Sequence, residues 1–220
     1  ALYHYAHLPH IFKPQRRIDT NVVPGSEEKL DMLQYCVQTL TERGYVFIGM
    51  DHFAKPDDEL SIALKEGFLQ RNFQGYSTYA DCDLVAIGVS SIGKIGSTYS
   101  QNERDIDAYY AALNAGHLPI MRGYQLNQDD ILRRNIIQDL MCRFSLDYQI
   151  YESVFGIPFS RYFAAELEDM KQLETLGLVR LKPHSLTVTP KGRFLIRNIA
   201  MVFDYHLRHK ETKAKYSQTV

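Results

Sequence analysis

Apolar positions recur along this chain with two spacings. They divide it into a front that alternates helix with strand and a back that is mostly helical. Leu30, Leu33, Val37 and Leu40 share one helical face, with Ser26 as N-cap, Glu27 and Glu28 in the first turn and Gly44 as the stop. Tyr45-Val46-Phe47-Ile48 is a continuous apolar run, the pattern of a strand buried on both faces of a parallel sheet. It ends abruptly in Asp51, His52 and Phe53, and a second helix is predicted with Asp57 as N-cap behind Pro56. Helix, buried strand, helix is an αβα unit, which suits a (β/α) barrel and an open doubly wound sheet equally. Ligands of either sit where the strands end, which draws attention to residues 51–53 and 71–76.

The pattern changes after residue 126. Asn102 is expected to open a helix through Tyr109, Tyr110 and Leu113 that stops before Gly116. Residues 114–126 mix Gly, Pro and both polarities and read as a junction, giving domains of 1–115 and 116–220. Asn127 then caps a helix with Ile131, Leu132, Ile136, Ile137, Leu140 and Met141 inward and Arg133 and Arg134 outward. A second helix carries Phe163, Leu167 and Met170 to a stop at Gly177. Leu178–Lys182 and Leu186–Thr189 flank Pro183-His184-Ser185 as a hairpin, and Thr189-Pro190 opens the last helix in the favoured cap-then-N1 order. Helices followed by a small hairpin predict a winged-helix-like module.

Charge and cysteine usage narrow the function classes. The net charge is −1, so no overall basic field draws nucleic acid or anionic lipid. No apolar run reaches the length of a membrane span, and the opening ALYHYAHLPH has neither the charge nor the apolar core of a signal peptide. Ala1 in place of Met suits a piece that begins mid-protein. Cys36, Cys82 and Cys142 are odd in number and far apart, as in a reducing cytosol, and each reads as a small buried hydrophobe. His4, His7 and His10 recur every third residue, but no carboxylate or cysteine joins them in a metal set. Gly88-x4-Gly93-Lys94 nearly spells a phosphate-binding loop, yet Ile95 stands where Ser or Thr would hold the metal. Arg180, Lys182, Lys191, Arg193 and Arg197 cluster on the winged module and make DNA binding a rival reading, diluted by Glu166, Glu168 and Asp169.

Four stretches carry a resemblance. GMDHFAKPDDEL (49–60), RNFQGY (71–76), Tyr5-Ala6-His7-Leu8-Pro9 and the run Lys191 to Ile199 occur in this order along nearly the whole chain. Together they resemble the C-terminal half of the oxygen-independent coproporphyrinogen III oxidase family, in the radical S-adenosylmethionine superfamily. The resemblance implies the C-terminal part of a (β/α) partial TIM barrel followed by a mostly helical, winged-helix-like domain that covers the substrate. It implies oxidative decarboxylation of two propionates of coproporphyrinogen III to vinyl groups, giving protoporphyrinogen IX in porphyrin and haem biosynthesis. A deoxyadenosyl radical takes hydrogen from each propionate β-carbon, and loss of CO₂ and one electron completes the vinyl. The implied cofactors are two S-adenosylmethionine molecules and a [4Fe–4S] cluster held by the N-terminal half, because no three-cysteine loop occurs here.

Residue by residue, the resemblance places Ala6 (through its backbone) and Ile92 against S-adenosylmethionine, and Phe73 and Gln74 in the active-site cavity. Arg71 and His52 are candidates for propionate carboxylates, since guanidinium groups bind carboxylates bidentately. No residue here is expected to be catalytic or to bind metal. The implied protein is cytoplasmic and monomeric, and the fragment alone is expected to be inactive. A haem-chaperone branch of the same superfamily is the nearest alternative. It carries His-Asn-x-x-Tyr-Trp where this chain has Arg71-Asn72-Phe73-Gln74-Gly75-Tyr76-Ser77, and the chain has no tryptophan.

Overall fold

Gly25, extended at φ −70° and ψ 174°, stands just outside the first long helix, α1 (Ser26–Glu42). Ser26 is therefore its first residue and not its cap. The computed structural model, which describes residues 1–79 and 82–209, places two single-turn 3₁₀ helices before it, Lys13–Arg17 and Thr20–Val22. Gly44 does end the helix, with φ +85°.

The apolar run after α1 corrects the expectation of a parallel strand. β1 (Val46–Gly49) turns back through Met50, at φ +53°, into β2 (His52–Ala54), and the two pair antiparallel with Phe47 opposite Phe53. The run is apolar throughout because both its faces are covered. Ile48 is fully buried, and Phe47 stacks on Phe53 and Phe194. Asp58, not Asp57, caps α2 (Glu59–Glu66) by accepting from the Leu60 N–H. The six residues without a regular period, 71–76, belong to a hairpin of β3 (Gln70–Asn72) and β4 (Gly75–Ser77), with Phe73 and Gln74 at its turn.

β5 (Ile92–Ile95) and β6 (Thr98–Asn102) form a second antiparallel pair. Gly93 and Lys94 thus lie in a strand, which rules out a phosphate loop at that point. Asn102 ends a strand and does not start a helix. Asp105 caps α3 (Ile106–Asn114), and the later part of the expected junction holds β7 (Ile120–Gln125), paired with β6. Every strand pairing among the described residues is antiparallel.

The back half follows the expected order with additions. A capping box between Asn127 and Asp130 opens α4 (Gln128–Arg143). β8 (Ser145–Asp147), α5 (Tyr148–Phe155) and α6 (Phe159–Tyr162) come before α7 (Ala164–Thr175). The hairpin of β9 (Val179–Lys182) and β10 (Ser185–Val188) adds β8 as a third strand, in the order β8-β10-β9. The single last helix is broken into α8 (Pro190–Arg193), α9 (Ile196–Met201) and α10 (Tyr205–Arg208).

One hydrophobic core joins these helices and the winged sheet. Ile136, Leu140, Phe159, Phe163, Met170, Leu186, Ile199 and Phe203 are fully buried, and the cluster extends to Ile48, Ala54, Ala63 and Leu69 of the front half. Each such side chain contributes about 1.5–3 kcal/mol. Burial reaches two arginines expected on the surface. Arg133 bridges Asp129 and Glu166 at 2.8 Å each and lies over the Phe163 and Tyr205 rings. Arg193 lies 4.2 Å from the Phe144 ring centroid and donates to the Phe47 carbonyl, so it leaves the basic cluster. Among the described residues no helix is long and apolar enough to cross a membrane.

Candidate functional site

The β3–β4 hairpin projects from the core with its turn pinned by its own sequence. Asn72 Oδ1 accepts from the Gln74 N–H at 2.8 Å, which holds Phe73 and Gln74 at the tip. Its base is tied to α4: Gln138 Nε2 donates to Gln70 Oε1 at 2.8 Å, and the Tyr76 hydroxyl to the Met141 carbonyl at 3.1 Å. Opposite, the Leu84–Lys94 bridge lays residues 82–84 along β5. Between them lies a cleft of about 690 Å³, walled by the hairpin, residues 82–84, the β5–β6 sheet and α4.

Arg71, Phe73 and Gln74 line this cleft together. Phe73 is 54% exposed, and its ring meets the Tyr99 ring edge-on at 5.2 Å, leaving an aromatic surface open to a ligand. Arg71 lies 5.6 Å from the Tyr76 ring centroid, across the hairpin. The other three predicted residues stand outside the lining. Ile92 shares the sheet face of Lys94 and Tyr99, which do line it, because alternate residues and directly paired residues point the same way. His52 sits against the other side of Tyr76, with its Nδ1 2.6 Å from Asp51 Oδ1 and Tyr3 edge-on. Ala6 is exposed, and its carbonyl accepts from the Gln15 side chain.

Sequence reading missed Arg134, Gln138, Lys94 and Tyr99 as cleft residues. Arg134 and Gln138 stand four apart on α4, a polar pair in a helix whose apolar residues surround it on several faces. That interruption was the available signal.

Two buried groups outside the cleft lining stay neutral. Burial pushes the Tyr76 phenol well up, helped by Cys142 and opposed by Arg71, so the hydroxyl stays a donor. Burial pushes the Cys142 thiol up to about 12, which makes it an inert apolar filler. Cys36 is half-buried and Cys82 exposed. No group of three or more His, Cys, Asp or Glu among the described residues is arranged to hold a metal, the His4, His7, His10 series included.

Residues 126–195 match the family model for the HemN C-terminal domain. The HemN resemblance extends well beyond it. The chain is 48% identical over 207 residues to the oxygen-independent coproporphyrinogen III oxidase of Pseudomonas aeruginosa, covering 94% of this chain and 45% of that protein. The Salmonella typhimurium oxidase is 44% identical over 220 residues, all of this chain and 48% of the relative. Among solved structures, coproporphyrinogen III oxidase (HemN) from Escherichia coli, a radical SAM enzyme, superposes with a TM-score of 0.88 at 47% identity. That match covers 92% of this chain and 47% of the other, so the α/β fold of this portion of the enzyme is shared. The chain spans about half the length of these relatives.

A radical SAM enzyme implies S-adenosylmethionine and an iron–sulfur cluster. The described residues offer no ligand set for the cluster. They do offer a fit for S-adenosylmethionine, since the cleft combines an open aromatic face, amides and guanidinium groups that match a sulfonium ligand with an amino-acid end.

Proposed function

We propose that this chain supplies the part of an oxygen-independent coproporphyrinogen III oxidase that holds substrate and S-adenosylmethionine. The reaction is oxidative decarboxylation of coproporphyrinogen III to protoporphyrinogen IX in haem biosynthesis. The observation that carries this reading is the meeting of Phe73, Gln74 and Arg71 in one cleft, in a chain that matches the oxidases along its length.

S-adenosylmethionine together with a [4Fe–4S] cluster supplies one-electron chemistry when bound, and no residue of this chain is given a part in ligating the cluster. The chain's own residues bind and orient. Phe73 walls the reacting region from water, and the Gln74 amide fixes a ligand orientation. Ile92 and the Ala6 backbone contact S-adenosylmethionine, of which the reading takes two. Arg71 receives a propionate, while His52, turned against Asp51 and Tyr76, backs the hairpin from behind. Residues 1–115 contribute the barrel-derived portion and 116–220 the helical cover. The same reading makes the protein cytoplasmic and monomeric, without nucleic acid as partner. Arg71 in place of the chaperone branch's histidine favours oxidase over haem chaperone.

A chimera tests the proposal. This chain replaces the matching segment of the Escherichia coli relative, and the purified, cluster-loaded protein is given S-adenosylmethionine, coproporphyrinogen III and a reductant without oxygen. Protoporphyrinogen formation is expected. A folded, cluster-loaded chimera that cleaves S-adenosylmethionine but never decarboxylates the porphyrinogen rejects it, and tight stoichiometric haem binding by the chain itself would point to the chaperone.

A further inference from the structure

Among the described residues the cleft holds more positive charge than its surroundings neutralise. Arg71, Arg134 and Lys94 line it, while Asp83 is the only carboxylate lining it among the described residues, and one Asp83 oxygen already accepts from the Gly96 N–H at 2.8 Å. Among the described residues Lys94 Nζ reaches no more than the Cys82 carbonyl, at 3.5 Å. Arg133, Arg143 and Arg208 each meet a carboxylate, but among the described residues Arg71 and Arg134 form no ion pair. Their orphaned atoms are specific: Arg71 Nε and Arg134 Nη1 are buried without a hydrogen-bond acceptor among the described residues. A desolvated N–H left unpaired is costly, and more so on a charged group, so two on arginines that line one cleft call for an anion brought from outside.

The two guanidinium groups come from different elements, the hairpin for Arg71 and α4 for Arg134, and the Gln138–Gln70 hydrogen bond holds those elements together. Planar forks held on two walls of one aromatic-lined cleft suit a carboxylate better than a compact cation would. We propose that Arg134 completes, with Arg71, a carboxylate clamp in the cleft, with Lys94 adding field. The clamp rests on the functional reading above, which offers two sources of that carboxylate: a propionate of the porphyrinogen and the methionyl end of S-adenosylmethionine.

Binding to the 220-residue chain tests the clamp, by fluorescence quenching with coproporphyrin III and by calorimetry with S-adenosylmethionine and with citrate. R134Q is expected to weaken one of the two natural ligands about tenfold or more, and R134K, which keeps the charge but loses the fork, by an intermediate factor. The charge-matched control R43Q, at the exposed end of α1, is expected to stay within about twofold. The ligand that weakens names the source, and coproporphyrin tetramethyl ester should ignore R134Q if that source is the propionate. Equal affinity of R134Q and the parent chain for every carboxylate probe overturns the clamp, as does an equal loss in R43Q. If neither natural ligand binds while citrate binding still depends on Arg134, the clamp stands and the functional reading falls. R134K keeps the test alive should R134Q fail to fold.

Discussion

Gly192 has no room for a side chain. A Cβ there would overlap the Leu178 carbonyl oxygen and crowd Val188, because the first turn of α8 packs directly on the end of β10 and the start of the wing. G192A is expected to destabilise the chain by about 3 kcal/mol, read as a lower urea midpoint at unchanged slope. The run Lys191-Gly192-Arg193 was visible in the sequence as part of a motif, but the reason for its glycine is the Leu178 backbone, fourteen positions away, and no local pattern encodes that. Asp130 is a second case. Burial opposes its ionised form, but hydrogen bonds from the Asn127 N–H, His206 and Tyr124 outweigh this and hold its carboxyl below the ordinary range. A carboxyl lowered in the folded state adds stability above the unfolded pKa of about 3.9 and loses it as pH falls through the folded value. D130N should therefore be less stable than the parent chain at pH 7. Urea midpoints of the two should converge as pH falls toward 3, and a gap that stays constant would contradict this. Asn127 as a cap was legible from sequence. The reach of Asp130 to Tyr124 and His206 was not, since its partners come from β7 and α10.

The β3–β4 hairpin is the element on which the site depends. Its strands are three residues each, too short to be stable alone, and its place comes from α4 through Gln138 and the Met141 carbonyl. Asn72 fixes the turn. N72A is expected to cost about 1 kcal/mol or less in stability while weakening S-adenosylmethionine binding about fivefold, because Phe73 and Gln74 lose their fixed presentation. A thermal melt beside a calorimetric titration separates the two effects, and an unchanged S-adenosylmethionine affinity beside a lowered melt would mean the turn is merely structural. Local sequence marked residues 71–76 as unusual without marking them as strands. Three residues give no period to read. The apolar run 45–48 misled for a related reason. A short strand covered on both faces by Phe194, Arg193 and the core has the same composition whether its neighbour is parallel or antiparallel.

The front and back of the chain share one core, so the cleft exists only where the two meet: Arg71 from one, Arg134 from the other. Cluster ligation has no such meeting point, since Cys36, Cys82 and Cys142 differ in burial and form no metal set among the described residues. The 220-residue chain given S-adenosylmethionine, reductant and coproporphyrinogen III without oxygen is accordingly expected to form no protoporphyrinogen, as judged by chromatography after oxidation. Product above a no-protein control would refute this. Sequence alone determined the helices with strong caps and long apolar faces, the winged hairpin and the kinship with the oxidases, because periodicity, capping and motif order are written locally. Tertiary structure alone decided that every strand pairing among the described residues is antiparallel, that Arg133 and Arg193 are half-buried, and that Arg134 lines a ligand-sized cleft. Those outcomes depend on which distant surfaces exclude water from each side chain, and that is a property of the packed chain.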